Sequence, residues 1–290
     1  MESIVEHVGT PVYIYSGRGI RDAYRAIDDA FSSYPHAIHY ALKANSTLAI
    51  ARLLQSVGSR ADANSGGEIL VALKSALSVF DPATGGIAKI ADAPGHHAGL
   101  RFNDGKCDRQ GRFWVGTMRA GDEKASGFLY RLDGGGCTKV LDGIEITNSL
   151  CWSPDGRTMY FSDSPKRVIW AFPYDPASGA IGERRVFASL PAPMVADGGT
   201  VDAEGYLWSA NYGGWRVTRF APDGSVDRVV PVPASNITSC AFGGPDLGTL
   251  FIVSAYQGLR DEARAKQPAA GGLFAIDVGV KGLPEARYAY

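Results

Sequence analysis

The chain has 290 residues, of which 45% are hydrophobic and 20% are charged, and its formal net charge is -1. This composition provides enough apolar residues for a buried core and argues against a disordered chain. The near-neutral charge gives no basic surface of the kind that nucleic acids or anionic membranes require.

The cysteines and the N-terminal region indicate the cellular compartment. The four cysteines form no Cys-x-x-Cys pair and are typical of reduced side chains in the cytoplasm. No segment approaches the roughly 18 apolar residues of a membrane span, and no basic N-terminal region predicts a secretion signal. We therefore expect a cytoplasmic protein.

Residues 1–69 alternate between strand and helix patterns. The apolar spacing predicts a β-α-β-α-β order, with strands at 11–15 and 37–42, helices at 19–32 and 47–57, and an extended segment at 60–63. This alternation is typical of a parallel α/β sheet or barrel. Only about two such units are present, whereas a (β/α)₈ barrel has eight, so this segment is too short to close a barrel.

From residue 70 onward, a turn followed by an aromatic strand recurs along the chain. The glycines of these turns are Gly111, Gly156, Gly205 and Gly248. Their spacing of roughly 40–50 residues is typical of the blades of a β-propeller. We therefore predict a mainly β fold with two regions, 1–69 and 70–290, in which the second is a propeller. A β-sandwich with coincidental turn motifs is the alternative.

A series of short blocks in the second region occurs in the order of a known family. These blocks are RFNDGK at 101–106, GRFWVGTM at 111–118, ITN at 146–148, ADG at 196–198, TSCAFGG at 238–244 and AGGLF at 270–274. Through them, residues 73–290 resemble the SMP-30/gluconolactonase family of regucalcin-like sugar lactonases. The resemblance implies a six-bladed-type β-propeller, here lacking most of its first blade, that hydrolyses a sugar-acid lactone such as a gluconolactone or a pentonolactone.

The same resemblance implies roles for four residues. Asn148 and Asp197 would be metal ligands, Asp197 would also be the general base, and Arg101 and Asn103 would bind the substrate hydroxyls. Lactone hydrolysis needs a Lewis acid at the carbonyl oxygen and a base for water. Oxygen ligands favour Ca²⁺, with Zn²⁺, Mg²⁺ or Mn²⁺ as alternatives.

Taken alone, each of these residues has a simpler interpretation. Asp197, which precedes two glycines, would form an Asx turn, and Asn148 would cap a turn. Arg101 would be an exposed surface charge. Residues 103–105 (Asn-Asp-Gly) would form a hairpin turn, which Asp104 would shape.

The sequence departs from the family in its first metal ligand, a glutamate in an early Gly-Glu-x-Pro strand. Gly9–Tyr13 resembles that strand superficially but contains no carboxylate, so we expect weakened metal affinity and impaired activity. Ser149 also stands where the family usually has glycine. In such propellers an N-terminal strand completes the last blade and covers its edge, and our hypothesis is that residues 11–15 take that place.

A second resemblance covers residues 8–68. The motifs are TPVYIY at 10–15, YALKAN at 40–45 and SGGE at 65–68, and they resemble the N-terminus of diaminopimelate decarboxylase, a PLP enzyme with an alanine-racemase-like barrel. Lys43 matches the lysine that forms the Schiff base in that family. The later phosphate-binding and catalytic residues have no counterpart, so we predict that Lys43 is a non-functional remnant and that PLP does not bind. The chain would then be a fusion joined between residues 66 and 73.

These patterns leave three functional hypotheses. The first is metal-dependent hydrolysis of a small sugar lactone, without a nucleic-acid or membrane partner. The alternatives are PLP-dependent decarboxylation of the diaminopimelate type and a catalytically silent propeller that binds a metal or a sugar.

Two further motifs are interpreted as structural features without a role in the site. His96 and His97 would point to opposite faces and are assigned to a loop, and the aromatic residues Trp208, Tyr212 and Trp215 are assigned to blade packing.

Overall fold

A computed structural model of the chain describes residues 17–30, 39–40, 60–61, 69–73, 76–81, 84–120, 126–134 and 136–289. Within these ranges the protein is mainly β, with five antiparallel sheets and one short parallel pair. The predicted strand at 11–15, the predicted helix at 47–57 and Lys43 lie outside the described residues. None of the helices in the described ranges is long and apolar enough to cross a membrane.

The N-terminal region contains the helix and the strand pairing that its sequence pattern predicts. Helix α1 spans Gly17–Ala30, where apolar residues recur at helical spacing. Strands β1 (His39–Tyr40) and β2 (Arg60–Ala61) pair in parallel. Parallel strands need a long crossover connection, which agrees with the alternating pattern of residues 1–69.

The remaining strands form five sheets in which each strand pairs with the next one along the chain. The first sheet contains β3 (Ile69–Ala72), β4 (Ala76–Asp81) and β5 (Gly86–Asp92). The second contains β6 (Leu100–Cys107), β7 (Phe113–Arg119), β8 (Gly127–Asp133) and β9 (Gly136–Ile144). The third contains β10 (Thr147–Trp152), β11 (Thr158–Asp163), β12 (Val168–Pro173) and β13 (Arg185–Ser189).

The fourth and fifth sheets complete the described β structure. The fourth contains β14 (Val195–Val201), β15 (Leu207–Tyr212), β16 (Arg216–Phe220) and β17 (Val226–Pro231). The fifth contains β18 (Ile237–Gly243), β19 (Thr249–Ser254) and β20 (Leu273–Asp277), with the short helix α2 (Asp261–Ala265) between its last two strands. A 3₁₀ turn spans Ser164–Lys166.

The repeated turn of the sequence joins the first and second strands of a sheet. In the second, third and fourth sheets its glycine has a positive φ, of 85°, 68° and 88° at Gly111, Gly156 and Gly205. In each turn the glycine N–H donates to the carbonyl oxygen three residues earlier, at 2.9–3.0 Å. Because glycine adopts a positive φ without steric cost, its recurrence in the sequence marks the recurrence of one turn.

The core lies between successive sheets, which pack face to face in chain order. Trp114 of the second sheet and Phe161 of the third belong to one buried cluster, and Ile169 of the third and Leu207 of the fourth belong to another. Further clusters join the first sheet to the second and the fourth to the fifth. This serial stacking of meander sheets is the packing of a propeller, so the mainly β prediction is confirmed. The six-bladed ring and the missing first blade stay predictions.

The C-terminal segment after β20 connects several sheets. The N–H of Ala203 in the fourth sheet donates to the Lys281 carbonyl oxygen at 2.9 Å, and the Ala289 N–H donates to the Gly111 carbonyl oxygen in the second sheet at 3.1 Å. Tyr288 is buried in the cluster shared by the first and second sheets. We call residues 278–289 the C-terminal tail. It runs past the turns that follow the first strands of the second, fourth and fifth sheets.

The outer edge of the last sheet is apolar. Leu273 and Ile276 of β20 are exposed, and β20 pairs with β19 alone among the described strands. An exposed apolar edge strand is a site at which another strand can pair. The hypothesis that residues 11–15 cover this edge concerns residues outside the described ranges and stays a prediction.

Candidate functional site

The four candidate site residues lie on the first strands of three consecutive sheets. Arg101 and Asn103 are on β6, Asn148 is on β10 and Asp197 is on β14. The pairing register of each of these strands shifts at this point. Such bulges bend a strand and re-aim its side chains, and here they occur at or next to the candidate residues on three neighbouring first strands.

These positions correct the simpler interpretations that the sequence allowed. Asp197, Asn148 and residues 103–105 are in bulged strands, so the Asx turn, the turn cap and the hairpin turn are wrong. Arg101 is half-buried and is not an exposed charge. The Asp104 carboxylate shapes no hairpin turn. It accepts the N–H of Leu150 at 3.1 Å and thereby joins the second sheet to the third.

Two side-chain amides form the centre of the site. Asn103 Nδ2 donates to the Thr147 carbonyl oxygen at 2.8 Å and to Asn148 Oδ1 at 3.1 Å. Asn148 Nδ2 donates to Ser164 Oγ at 2.7 Å. An amide nitrogen has two N–H groups and an amide oxygen has two lone pairs. The Asn103 nitrogen therefore has both donors engaged, whereas the Asn148 oxygen keeps one lone pair for a further partner.

Neighbouring residues fix the backbone around Asp197. Ser164 Oγ donates to the Ala196 carbonyl oxygen and Ser149 Oγ donates to that of Asp197, both at 2.6 Å. Lys106 Nζ donates to the Gly199 carbonyl oxygen at 3.3 Å. Ser164 and Lys106 are not predictable from local sequence, because 33 and 91 positions separate them from Asp197 and only the fold brings them near its strand.

Ser149 adopts a backbone conformation that is unusual for a residue with a side chain. Its φ is 57°, in the left-handed region, which glycine occupies more readily than other residues. In this chain the serine adds a hydroxyl that bonds to the Asp197 carbonyl oxygen.

Two side chains, the candidate residue Arg101 and Tyr212, have shifted pKa values. Burial lowers the pKa of Arg101, whose Nη1 donates to the Phe102 carbonyl oxygen at 3.1 Å. Burial and then the negative charge of Asp197 raise the pKa of Tyr212, so its phenol lies within electrostatic range of that carboxylate. The Tyr212 hydroxyl donates to the Gln257 carbonyl oxygen at 3.1 Å.

The other sequence motifs have different outcomes. Trp208 is fully buried, as predicted for blade packing, but Trp215 is 46% exposed in the turn after β15, so that assignment is wrong for Trp215. His96 and His97 lie in the loop between β5 and β6, as predicted. The His96 ring stacks on Phe102 with centroids 4.8 Å apart, and His97 Nδ1 accepts the N–H of Gly99 at 3.2 Å.

A glycine beneath the amide pair provides a test of how tightly the site is packed. A Cβ at Gly116 would overlap the Thr147 side chain, and the Thr147 carbonyl oxygen accepts from Asn103. We expect Gly116→Ala to displace the amide pair and to lower the free energy of unfolding by about 1–3 kcal/mol. Urea denaturation measures this loss of stability. Gly136→Ala in the same sheet is the control, because its Cβ would meet only the Asp133 carbonyl oxygen at 3.8 Å. Equal stability of the two variants would contradict the prediction.

Comparison with known proteins identifies the family. Residues 33–256 match the model of the SMP-30/gluconolactonase/LRE-like region. Regucalcin of Gallus gallus is 39% identical over 212 residues, which cover 70% of this chain and 71% of that protein. A 6-deoxy-6-sulfogluconolactonase of Pseudomonas putida is 36% identical over 227 residues, which cover 77% of each protein.

A solved structure has the same fold. A calcium-binding protein, regucalcin, from Agrobacterium tumefaciens superposes with a TM-score of 0.75 and is 34% identical, with 79% of this chain and 78% of that chain covered. The family match begins at residue 33, inside the segment that resembles diaminopimelate decarboxylase. The comparisons lend that second resemblance no support, and the boundary between residues 69 and 70 stays a prediction.

Proposed function

Since the chain belongs to the SMP-30/gluconolactonase/LRE-like family, we propose that it hydrolyses the lactone of a sugar acid with the help of a bound divalent cation. Gluconolactone and pentonolactones are the substrates that we expect. The observation that supports this proposal most directly is the bonded pair Asn103–Asn148, at 3.1 Å, with Ser149 next to it bonded to the Asp197 carbonyl oxygen. The relative that is named a sulfogluconolactonase supports the substrate class.

The donor set suits a hard divalent cation. Asn148 offers an amide oxygen with one lone pair unused by Asn103, and Asp197 offers a half-buried carboxylate. Oxygen ligands of this kind suit Ca²⁺ and Mg²⁺, although Zn²⁺ and Mn²⁺ also bind carboxylates. The described residues contain no group of three His, Cys, Asp or Glu side chains that could hold an ion. We propose Asn148 and Asp197 as the protein ligands, with water in the other positions and a weakened affinity, because residues 9–13 contain no carboxylate.

The chain's own residues would divide the chemistry between them. Asp197 would accept a proton from the attacking water, and its position in a strand held at three carbonyl oxygens limits its movement. Asn103 has both N–H groups engaged, so its Oδ1 would accept a hydrogen bond from a substrate hydroxyl. The half-buried Arg101 would donate to substrate oxygens. The cation, when bound, would polarise the lactone carbonyl.

The test is lactone hydrolysis by the full chain, followed as acid release after removal of metal with a chelator. We expect no turnover of gluconolactone or a pentonolactone until Ca²⁺, Zn²⁺, Mg²⁺ or Mn²⁺ is restored. The effective ion should also raise the melting temperature, since a ligand at 100 times its Kd stabilises the folded state by about 2.7 kcal/mol. No turnover with any of these ions would overturn the proposal.

The same experiment distinguishes the alternatives. A melting temperature that rises with an ion or a sugar acid, without turnover, would identify a silent binding propeller. A rise with PLP, together with CO₂ release from diaminopimelate, would show that Lys43 is functional. We expect neither PLP effect.

A further inference from the structure

Three hydrogen bonds hold the strand segment around Asp197, and one of them comes from a charged group. The Asp197 carbonyl oxygen accepts from Ser149 of β10. The Ala196 carbonyl oxygen accepts from Ser164, in the 3₁₀ turn between β11 and β12. The carbonyl oxygen of Gly199 accepts from Lys106 Nζ. Lys106 belongs to β6 of the second sheet, so its side chain joins the strand of Asn103 to the strand of Asp197.

The C-terminal tail holds Lys106 in turn. Lys106 Nζ lies 2.8 Å from Glu285 Oε1, and the lysine side chain is 22% exposed whereas that of Glu285 is 50% exposed. Arg109 Nη1 donates to the Pro284 carbonyl oxygen at 3.2 Å, which fixes the tail next to Glu285. Lys106 and Glu285 also line a cavity of about 10 Å³, which is room for about one water molecule.

The lysine is a permanent cation at neutral pH. Burial alone would lower the pKa of Lys106, but nearby negative groups, Glu285 foremost, raise it above its usual value. A charged donor forms a stronger hydrogen bond to a carbonyl oxygen than a neutral one does. The bond to Gly199 therefore persists across the pH range in which a lactonase is assayed.

We propose that Lys106 is a positioning residue for Asp197 and that Glu285 of the C-terminal tail holds Lys106 in place. This inference rests on the proposed function, since it assigns Asp197 the role of the base. Lys106 fixes the Gly199 carbonyl oxygen two residues after Asp197 and so limits the orientations of the carboxylate. The tail would thereby act on the reaction through Lys106, to which Glu285 is bonded.

The test compares Lys106→Met, Lys106→Arg and Glu285→Gln with a matched control, Lys281→Met. Lys281 also belongs to the tail and pairs with a carboxylate, Asp246, but both of these side chains are more than 60% exposed. We expect Lys106→Met to lower kcat for gluconolactone by about 10–100-fold, since a displacement of about 1 Å can cost 10²-fold, with KM little changed. Lys106→Arg should retain most of kcat, Glu285→Gln should lose less than Lys106→Met, and Lys281→Met should match the wild type.

Amide hydrogen exchange gives a readout that does not depend on activity. We expect β14 to exchange faster in Lys106→Met than in Lys281→Met, while β15 exchanges equally in both. Equal exchange in β14, or an equal loss of kcat in the two methionine variants, would overturn the proposal. If Lys106→Met does not fold, Glu285→Gln answers the same question with Lys106 intact. A wild type inactive on all lactones would refute the proposed function, and exchange in β14 would then decide the role of Lys106.

Discussion

Asp197→Asn is expected to lower kcat for lactone hydrolysis by about 10²–10⁴-fold, the usual contribution of a general base. The amide has nearly the shape of the carboxylate, so the bulge of β14 and its bonds from Ser149 and Ser164 should remain. The amide cannot accept the proton of the attacking water, and it is a weaker ligand for a cation. The measurements are kcat at a saturating ion concentration and the melting temperature in chelator.

Two further variants separate the roles at this site. Asp223→Asn is the matched control, because Asp223 is an exposed carboxylate of the same sheet that bonds only within its own turn, to Ser225. Asn148→Ala should weaken ion affinity and leave the base in place, so that excess ion restores much of its kcat. Retention of wild-type kcat by Asp197→Asn would show that this carboxylate is not the base. A silent propeller would instead show no turnover for any of these proteins.

Asp202→Ala is expected to cause the largest loss of stability, about 3–5 kcal/mol, because it removes one partner of a buried ion pair. Asp202 is fully buried. Its Oδ1 accepts the N–H groups of Glu204 and Tyr206 at 3.0 Å, and its Oδ2 accepts Trp208 Nε1 and Arg219 Nε, both at 2.8 Å. The substitution leaves the buried indole N–H without an acceptor and removes one of the carboxylates around the guanidinium.

Urea denaturation measures this loss, and Asp246→Ala is the control. Asp246 lies in the turn of the fifth sheet that corresponds to the turn of Asp202 in the fourth. Its carboxylate is exposed and pairs with the exposed Lys281 at 3.1 Å, so its removal should cost about 0–1 kcal/mol. A loss of less than 1 kcal/mol in Asp202→Ala would show that the turn tolerates the buried gap, contrary to this expectation.

The repeated pattern of the sequence was sufficient to predict the class of fold. Three of the turn glycines, Gly111, Gly156 and Gly205, recur because each closes the same tight turn with a positive φ, and the aromatic residues after them recur because they pack between sheets. The helix α1 and the parallel pair β1–β2 followed from apolar spacing in the same way. These features depend on residues close in the chain, so local sequence contains the information.

The candidate site could be predicted only in part. The short motifs around Asn103, Asn148 and Asp197 marked these residues as candidates through the family resemblance, and their roles stay predictions. The same motifs gave wrong local structures when taken alone. Asn-Asp-Gly indicates a hairpin turn in an isolated segment, yet here it lies in the bulged strand β6, because pairing with β7 and packing on β10 outweigh the turn preference. Trp215 was likewise assigned to packing from its neighbours in the sequence, but its position in the turn leaves it exposed.

The sequence by itself determined the mainly β class, the repeating turns and the candidate ligands, since periodicity and residue type act over short distances along the chain. Only the tertiary structure decided which groups surround Asp197. Ser149 donates to the Asp197 carbonyl oxygen and Ser164 to that of Ala196. Lys106 donates to the Gly199 carbonyl oxygen and to the Glu285 carboxylate of the tail. The physical reason is that hydrogen bonds between sheets depend on how the sheets stack, and contacts across 32 to 179 positions leave no local pattern in the sequence.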